Sequence, residues 1–177
     1  MMTALLVLES GTDLSAGITI PASLTPELQS IRANRGHTIG LQAGETVRRI
    51  DMMYAMLLPS ANDAASVLAV DTSGSLAAFA AQMNVRASQL GCKATHFTSP
   101  PRPLRRRQLL HRPAIWRRSR WPAMPNPTYR QIADTVSYEL APPPTCIPAR
   151  TVTTTNKLLQ PGSGYYRSYA HGMKTGF

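Results

Sequence analysis

Two three-residue stretches, Ser60-Ala-Asn62 and Lys174-Thr-Gly176, combine groups that could do chemistry. A serine hydroxyl can both donate and accept a hydrogen bond, and a carboxamide can hold a polar backbone. A lysine ammonium beside a threonine hydroxyl can bind a carboxylate, and a glycine allows another backbone to approach closely. Each stretch also has a purely structural interpretation, the first as a helix N-cap and the second as an exposed strand end.

The sequence around these stretches resembles one enzyme family. Four segments carry the resemblance, namely Leu57–Ala65 (LLPSANDAA), Leu90–Phe97 (LGCKATHF), Thr155–Leu159 (TNKLL) and His171–Phe177 (HGMKTGF). They occur in the order found in serine-type D-alanyl-D-alanine carboxypeptidases, the low-molecular-weight penicillin-binding proteins, whose second and third motifs are S-x-N and K-T-G. The chain is therefore identified as an incomplete member of that family.

The resemblance implies acyl transfer, in which the terminal D-Ala of a peptidoglycan stem peptide is removed through an acyl-enzyme. It implies catalytic roles for Ser60, Asn62 and Lys174, with Ser60 relaying a proton toward the leaving amine. Lys174, Thr175 and Gly176 are the expected substrate-binding residues. The expected ligands are a stem peptide ending in D-Ala-D-Ala and, for an intact homologue, β-lactams. Neither a metal nor a cofactor is expected.

The family's first motif, S-x-x-K, occurs nowhere in the sequence. In the family it is followed at once by a sequence similar to Met1–Leu5 (MMTAL), so we expect the nucleophilic serine and its lysine just before Met1. Without them we expect no carboxypeptidase activity from this chain. The parent protein is expected on the extracytoplasmic side of the cell envelope, although Met1–Leu8 is too short to be a signal peptide.

Several elements are predicted to position these groups. Apolar spacing predicts helices over Met1–Glu9, Val47–Leu57, Ala64–Val70, Ser75–Leu90 and Thr128–Ser137. Thr46 is the predicted N-cap of the second helix, and Pro59 ends it. A short strand is predicted at Gly17–Pro21, and irregular structure at Ser23–Gly44.

Toward the end of the chain, Thr151–Leu158 favours a strand, Pro161–Gly164 a turn and His171–Phe177 a final strand. The two cysteines, Cys92 and Cys146, lie far apart and outside any metal-ligand spacing, so they are either one disulfide or two unrelated thiols.

The positive charge is concentrated in one segment. The net charge is +10, and residues 101–124 contain eight of the 19 basic residues and no acidic one. We interpret 101–124 as an unstructured segment produced by a frameshift, because codons for Pro101-Arg-Pro103 can encode His-Gly-Leu one nucleotide later, as the family has here. The alternatives are a solvated basic loop, or a phosphate-binding patch in which Trp116 and Trp121 stack on bases. We expect no nucleic-acid partner.

The resemblance implies an α/β fold of the β-lactamase/transpeptidase-like type, a sheet flanked by helices with an inserted helical lobe. Residues 1–177 would form a partial catalytic domain, with 18–150 mostly helical lobe and 151–177 a truncated sheet region. Two other function classes remain open. A related β-lactamase-type serine acyl-enzyme would steadily hydrolyse β-lactams as an intact homologue, and a basic non-enzymatic binding protein would bind DNA with strong salt dependence.

Overall fold

The computed structural model describes residues 1–92, 95–100, 122–141, 149–172 and 174. The α-helices are α1 Met2–Glu9, α2 Thr25–Ala33, α3 Arg49–Leu57, α4 Asn62–Ser73, α5 Leu76–Gln89 and α6 Pro127–Asp134. A 3-10 turn at Ala22–Leu24 precedes α2. The strands are β1 Gly17–Thr19, β2 Thr46–Arg48, β3 Ser137–Glu139 and β4 Thr151–Thr153.

The core is built around α4, which packs against α1, α2, α3 and α5. Most of its length is buried, including Asp63, Ala64, Ala65, Ser66, Val67, Leu68 and Ala69. A helix that is covered on nearly all sides must belong to the interior, and its small alanines let the neighbouring helices approach closely. The helix that follows Ser60 is therefore a central part of the core.

Two small antiparallel sheets lie beside the helices. In the first, β1 pairs with β2, with Ile18 opposite Val47. In the second, β3 pairs with β4, with Tyr138 opposite Val152. The Tyr138 ring stacks on Tyr54 of α3 with 3.6 Å between centroids, so the second sheet is attached directly to the helix that leads to Ser60.

The structure confirms the helices predicted near the N-terminus and between Ser75 and Leu90. Two predictions upstream of Ser60 were wrong. The supposedly irregular stretch contains α2, which begins with Pro26 in its first turn and buries only Leu28 and Ile31, too few apolar residues to reveal a period. Thr46 does not cap a helix, because it pairs with Thr19 in β2 and α3 begins only at Arg49.

In the later part of the chain, α6 starts one residue before the predicted helix and ends at Asp134, because Ser137 is taken into β3. Only Thr151–Thr153 of the predicted 151–158 strand is extended in a sheet. The predicted turn after Pro161 is present. Residues 171, 172 and 174 do not lie in a strand, and the remainder of the predicted final strand lies outside the described residues.

The arginine-rich segment is described only at 122–124, a turn in which Ala123 is fully buried; 101–121 lie outside the described residues. Cys146 also lies outside them, so the pairing of Cys92 stays open. Within the described ranges, no single helix is long and apolar enough to cross a membrane, although α4 and α5 together, bent by 84°, satisfy the length and composition criteria.

Candidate active site

Ser60 has an unusual backbone conformation. It lies in the connection between α3 and α4 with a φ of 64°, in the left-handed region that non-glycine residues seldom occupy. Such a conformation costs roughly 1–3 kcal/mol and persists only where the surroundings enforce it. Ser60 is therefore held in place by its neighbours rather than by its own preference.

The Ser60 side chain contacts the other motif. Lys174 Nζ donates a hydrogen bond to Ser60 Oγ, and both residues are partly buried. The structural alternative for Ser60 is not seen, because the N-cap of α4 is Ala61 and no side chain caps this helix. The hydroxyl is thus directed to a lysine 114 residues further along the chain.

Asn62 is the first residue of α4 and is held against the segment that follows α2. Its backbone N–H donates to the carbonyl of His37 over 2.8 Å. Its carboxamide lies beside Gly36, where an added Cβ would come within 2.9 Å of Nδ2. The absence of a side chain at Gly36 therefore leaves room for the Asn62 carboxamide in its observed position.

His37 also reaches the Ser60 connection. Its Nδ1 lies 2.9 Å from the carbonyl oxygen of Pro59, the residue before Ser60. A carbonyl is only an acceptor, so His37 must be the donor, with its proton on Nδ1. His37 is therefore hydrogen-bonded on both sides of Ser60. Its ring donates to Pro59, and its carbonyl accepts from the Asn62 N–H.

A second support comes from the segment after β4. Thr155 donates to the Leu58 carbonyl from its backbone N–H over 3.2 Å and from its hydroxyl over 3.3 Å. Leu58 itself donates to Tyr54 at the end of α3. The T-N-x-L-L segment, noted in the sequence only as a family resemblance, thus braces the Ser60 connection.

Asp63 was not singled out by sequence reasoning, yet it organises this region. Its carboxylate is 1% exposed and accepts hydrogen bonds from the Thr38 hydroxyl, from the Ile39 N–H over 3.1 Å and from the Leu41 N–H over 3.2 Å. A buried carboxylate requires such donors to offset its lost hydration. The sequence signal was its place inside the L-L-P-S-A-N-D-A-A segment, one residue after Asn62.

Residues 171 and 172, which precede Lys174 in the chain, are held by contacts with the end of α6. The Gly172 N–H donates to the carboxylate of Asp134 at the end of α6, and His171 Nδ1 lies 3.3 Å from the same carboxylate. A side chain at 172 would overlap the carbonyl of Ala133, so a glycine is required there. These contacts fix where the chain turns toward Ser60.

Two ionisable groups adjoin Lys174. Burial raises the pKa of Tyr129 to about 12, and the backbone of Lys174, close to the phenol, opposes that rise. Burial also lowers the pKa of the Met1 α-ammonium to about 5, and the positive charge of Lys174 contributes in the same direction. The Met1 α-ammonium is therefore near enough to Lys174 for their positive charges to interact.

Of the sequence-predicted site residues, the structure joins Ser60 and Lys174 by a hydrogen bond and places Asn62 at the start of α4, two positions after Ser60; Thr175 and Gly176 lie outside the described residues. Within the described ranges, no group of His, Cys, Asp and Glu side chains has a metal-binding arrangement. A groove of about 340 Å³ on α1 and α5, lined by Leu6, Val85 and Arg86 among others, contains none of the motif residues.

Comparison with known proteins points to one enzyme family. The family model described as D-alanyl-D-alanine carboxypeptidase matches residues 1–106. The D-alanyl-D-alanine endopeptidase of Pseudomonas aeruginosa is 33% identical over 100 residues, which cover 56% of this chain and 30% of that protein. The D-alanyl-D-alanine carboxypeptidase of Streptomyces sp. strain K15 is 32% identical over 186 residues, which cover 99% of this chain and 61% of that protein.

Solved structures are similar over nearly the whole chain. A cysteine-to-alanine mutant of the Streptomyces K15 DD-transpeptidase superposes with a TM-score of 0.76 at 30% identity, covering 99% of this chain and 68% of that one. A penicillin-binding protein homologue from Mycobacterium tuberculosis shares the fold with a TM-score of 0.68 at 24% identity. These similarities confirm the predicted α/β, transpeptidase-like fold, of which this chain is mostly the helical lobe.

Proposed function

Because the chain belongs to the D-alanyl-D-alanine carboxypeptidase family, we propose that it carries the substrate-binding side of a serine-type D-Ala-D-Ala carboxypeptidase site. The proposal rests mainly on one observation, the hydrogen bond from Lys174 Nζ to Ser60 Oγ, which joins the two motifs. The proposed substrate is a peptidoglycan stem peptide ending in D-Ala-D-Ala, and the proposed place of action is the extracytoplasmic side of the cell envelope.

In this proposal Ser60 relays a proton. Its oxygen accepts from the Lys174 ammonium, so its own hydroxyl proton stays free to pass to the nitrogen of the departing D-Ala. The proton that Ser60 gives up would be replaced from Lys174 or from solvent. The lysine charge also attracts the terminal carboxylate of the substrate, so the same residue serves binding and proton transfer.

Asn62 is proposed to hold the backbone of the stem peptide through its carboxamide. Its position at the start of α4, beside Gly36 and one residue from the Ser60–Ala61 peptide, supports this role. Thr175 is proposed to donate its hydroxyl to the substrate carboxylate, and Gly176 to leave room for the substrate backbone.

The acylating groups are proposed to be the serine and lysine of the family's S-x-x-K, which is absent from the 177 residues. Without a nucleophile no acyl-enzyme can form, so the chain is proposed to be inactive and to retain only binding groups.

Activity is tested on the purified chain with diacetyl-Lys-D-Ala-D-Ala. We expect no release of D-Ala above the rate in buffer and no covalent labelling by a fluorescent penicillin. Measurable D-Ala release, or a labelled band that survives denaturation, would overturn the proposed inactivity. Steady hydrolysis of the penicillin by an intact homologue would favour the β-lactamase alternative, which the family match makes the weaker one.

Binding is tested separately, by nuclear magnetic resonance titration of the ¹⁵N-labelled chain with the same peptide. We expect shifts at Ser60 and Asn62 that are lost in Lys174→Met. The matched control is Lys157→Met, because Lys157 is exposed and lies over the Tyr165 ring, 5.7 Å from its centroid. Equal binding by both variants would show that Lys174 does not hold the substrate carboxylate.

A further inference from the structure

The connection that carries Ser60 is enclosed by a segment for which the family motifs assign no role. We define the clasp as residues 36–41, which run from the end of the turn after α2 to the buried Leu41. It contacts the Ser60 connection through His37, at Pro59 and at Asn62. It contacts the start of α4 through Thr38, Ile39 and Leu41, all bound to Asp63.

Asp63 is the point at which the clasp is fixed. Its carboxylate takes donors from consecutive parts of the clasp and also from its own helix, where the Ala64 N–H donates over 2.9 Å. No lysine or arginine among the described residues pairs with it. The geometry therefore depends on directional hydrogen bonds, which specify a conformation more strictly than a diffuse charge attraction does.

The clasp also explains how a serine can stay at a positive φ. The strain at Ser60 favours relaxation of the connection toward ordinary backbone angles. Relaxation would have to move the Pro59 carbonyl away from His37 Nδ1, or the Asn62 N–H away from the His37 carbonyl. Both links remain in place only while residue 37 is itself held, and the next residues are held by Asp63.

We propose that Asp63 is a positioning residue, which acts through the clasp to keep Ser60 in its left-handed conformation and the Asn62 carboxamide in the site. Thr38 is the side-chain part of this device, since its hydroxyl donates to Asp63 and accepts from the Gly40 N–H over 2.9 Å. The role in substrate binding rests on the function proposed above, whereas the control of the Ser60 conformation does not.

The test uses Thr38, because it is exposed and its replacement should leave the core intact. Thr38→Val keeps the shape and removes both hydrogen bonds, and Thr38→Ser keeps the hydroxyl. The matched control is Thr72→Val in α4, where the lost bond is only to the Leu68 carbonyl of the same helix. Asp63→Asn is the stronger variant, since its amide would present a donor to the clasp donors.

The first measurement is the intraresidue amide–Hα nuclear Overhauser effect of Ser60, which is strong when φ is positive. We expect it to weaken in Thr38→Val and Asp63→Asn, and to be retained in Thr38→Ser and Thr72→Val. Should Asp63→Asn not fold, the comparison of Thr38→Val with Thr38→Ser is sufficient to test the proposal. An unchanged effect in Thr38→Val would overturn the proposal.

The second measurement is the affinity for diacetyl-Lys-D-Ala-D-Ala. We expect Kd to rise about tenfold in Thr38→Val, as for the loss of one hydrogen bond to a charged group, and to return in Thr38→Ser. If the unmodified chain does not bind the peptide, the proposed function fails. The amide–Hα nuclear Overhauser effect of Ser60 still tests whether the clasp controls the Ser60 conformation. If the peptide binds but all variants bind it equally, the positioning role in binding fails and the proposed function stands.

Discussion

The two sides of the Ser60–Lys174 contact are held in different ways. On the Ser60 side, the connection is enclosed by the clasp, by Thr155 and by the buried start of α4. On the Lys174 side, the chain from 157 to 172 is largely exposed, and Leu158, Tyr165, Tyr166 and Tyr169 present apolar surface to solvent. The difference indicates that the two motifs of the site differ in local stability, with the Ser60 side the more stable one.

Hydrogen bonds at two places help to hold the Lys174 side. The Arg167 N–H donates to the Leu158 carbonyl over 3.0 Å and closes the tyrosine-rich loop. Asp134 holds Gly172 and the exposed His171. We therefore expect the Lys174 side to open by local unfolding before the Ser60 side does, and the following predictions test that contrast.

The largest expected effect comes from Arg150→Ala, which weakens the Ser60 side. Arg150 pairs with buried Glu45 at 2.8 Å and also donates to the Gly40 carbonyl of the clasp over 3.3 Å. Removing it leaves a buried carboxylate without its cation, and we expect a loss of about 3 kcal/mol in the free energy of unfolding, measured by urea denaturation.

The control for that experiment is Arg86→Ala, which breaks the more exposed Arg86–Glu9 pair. We expect it to cost less than about 1 kcal/mol. A similar loss for both arginines would mean that burial of Glu45 does not distinguish the two ion pairs.

The next effect concerns pH and Tyr129, whose phenol lies close to the backbone of Lys174. Its pKa is about 12 in the fold, above the ordinary value near 10, so the neutral phenol is favoured in the native state. This contribution to the free energy of unfolding, roughly 2–3 kcal/mol, is complete below pH 10 and is lost as the pH rises toward 12. Unfolding followed between pH 9 and 12 should therefore show a steeper decline for the unmodified chain than for Tyr129→Phe; parallel curves would contradict this.

A smaller effect is expected on the Lys174 side from Gly172→Ala. The added methyl group would overlap the Ala133 carbonyl and must displace residues 171–174, at a cost of about 1–3 kcal/mol. Hydrogen exchange of the residue-172 amide should become faster, while amides around Asp63 keep their protection. Gly164→Ala is the control, since a Cβ there meets nothing within 4 Å. Equally faster hydrogen exchange at residue 172 and around Asp63 would contradict the proposed difference in local stability between the two sides.

The smallest expected effect distinguishes the backbone strain at Ser60 from its hydrogen bond to Lys174. Ser60→Gly relieves the positive φ and Ser60→Ala retains it, while both lose the bond to Lys174. We expect the glycine variant to be more stable than the alanine variant by about 1 kcal/mol in thermal unfolding. Identical stabilities would show that the left-handed conformation stores no strain.

Sequence reasoning recovered the long apolar helices and the pair of motifs. Repeated apolar spacing over Ser75–Leu90 is a local property, and so is the Ser75 cap, whose hydroxyl accepts from Ala78. It missed α2, whose apolar pattern is too short, and it assigned Thr46 to a cap because a threonine before apolar residues fits both a cap and a strand. The pairing of Thr46 with Thr19, 27 residues away, decided between them.

For this protein, the sequence by itself determined the family, the order of the motifs and the absence of S-x-x-K, because these depend only on residue identity and spacing. The tertiary structure decided that Ser60 is not a cap but a strained residue bound to Lys174, and that Asp63 fixes the clasp beside it. The reason is physical: hydrogen bonds between residues 22 to 114 positions apart exist only when packing brings them together, and no local pattern records them.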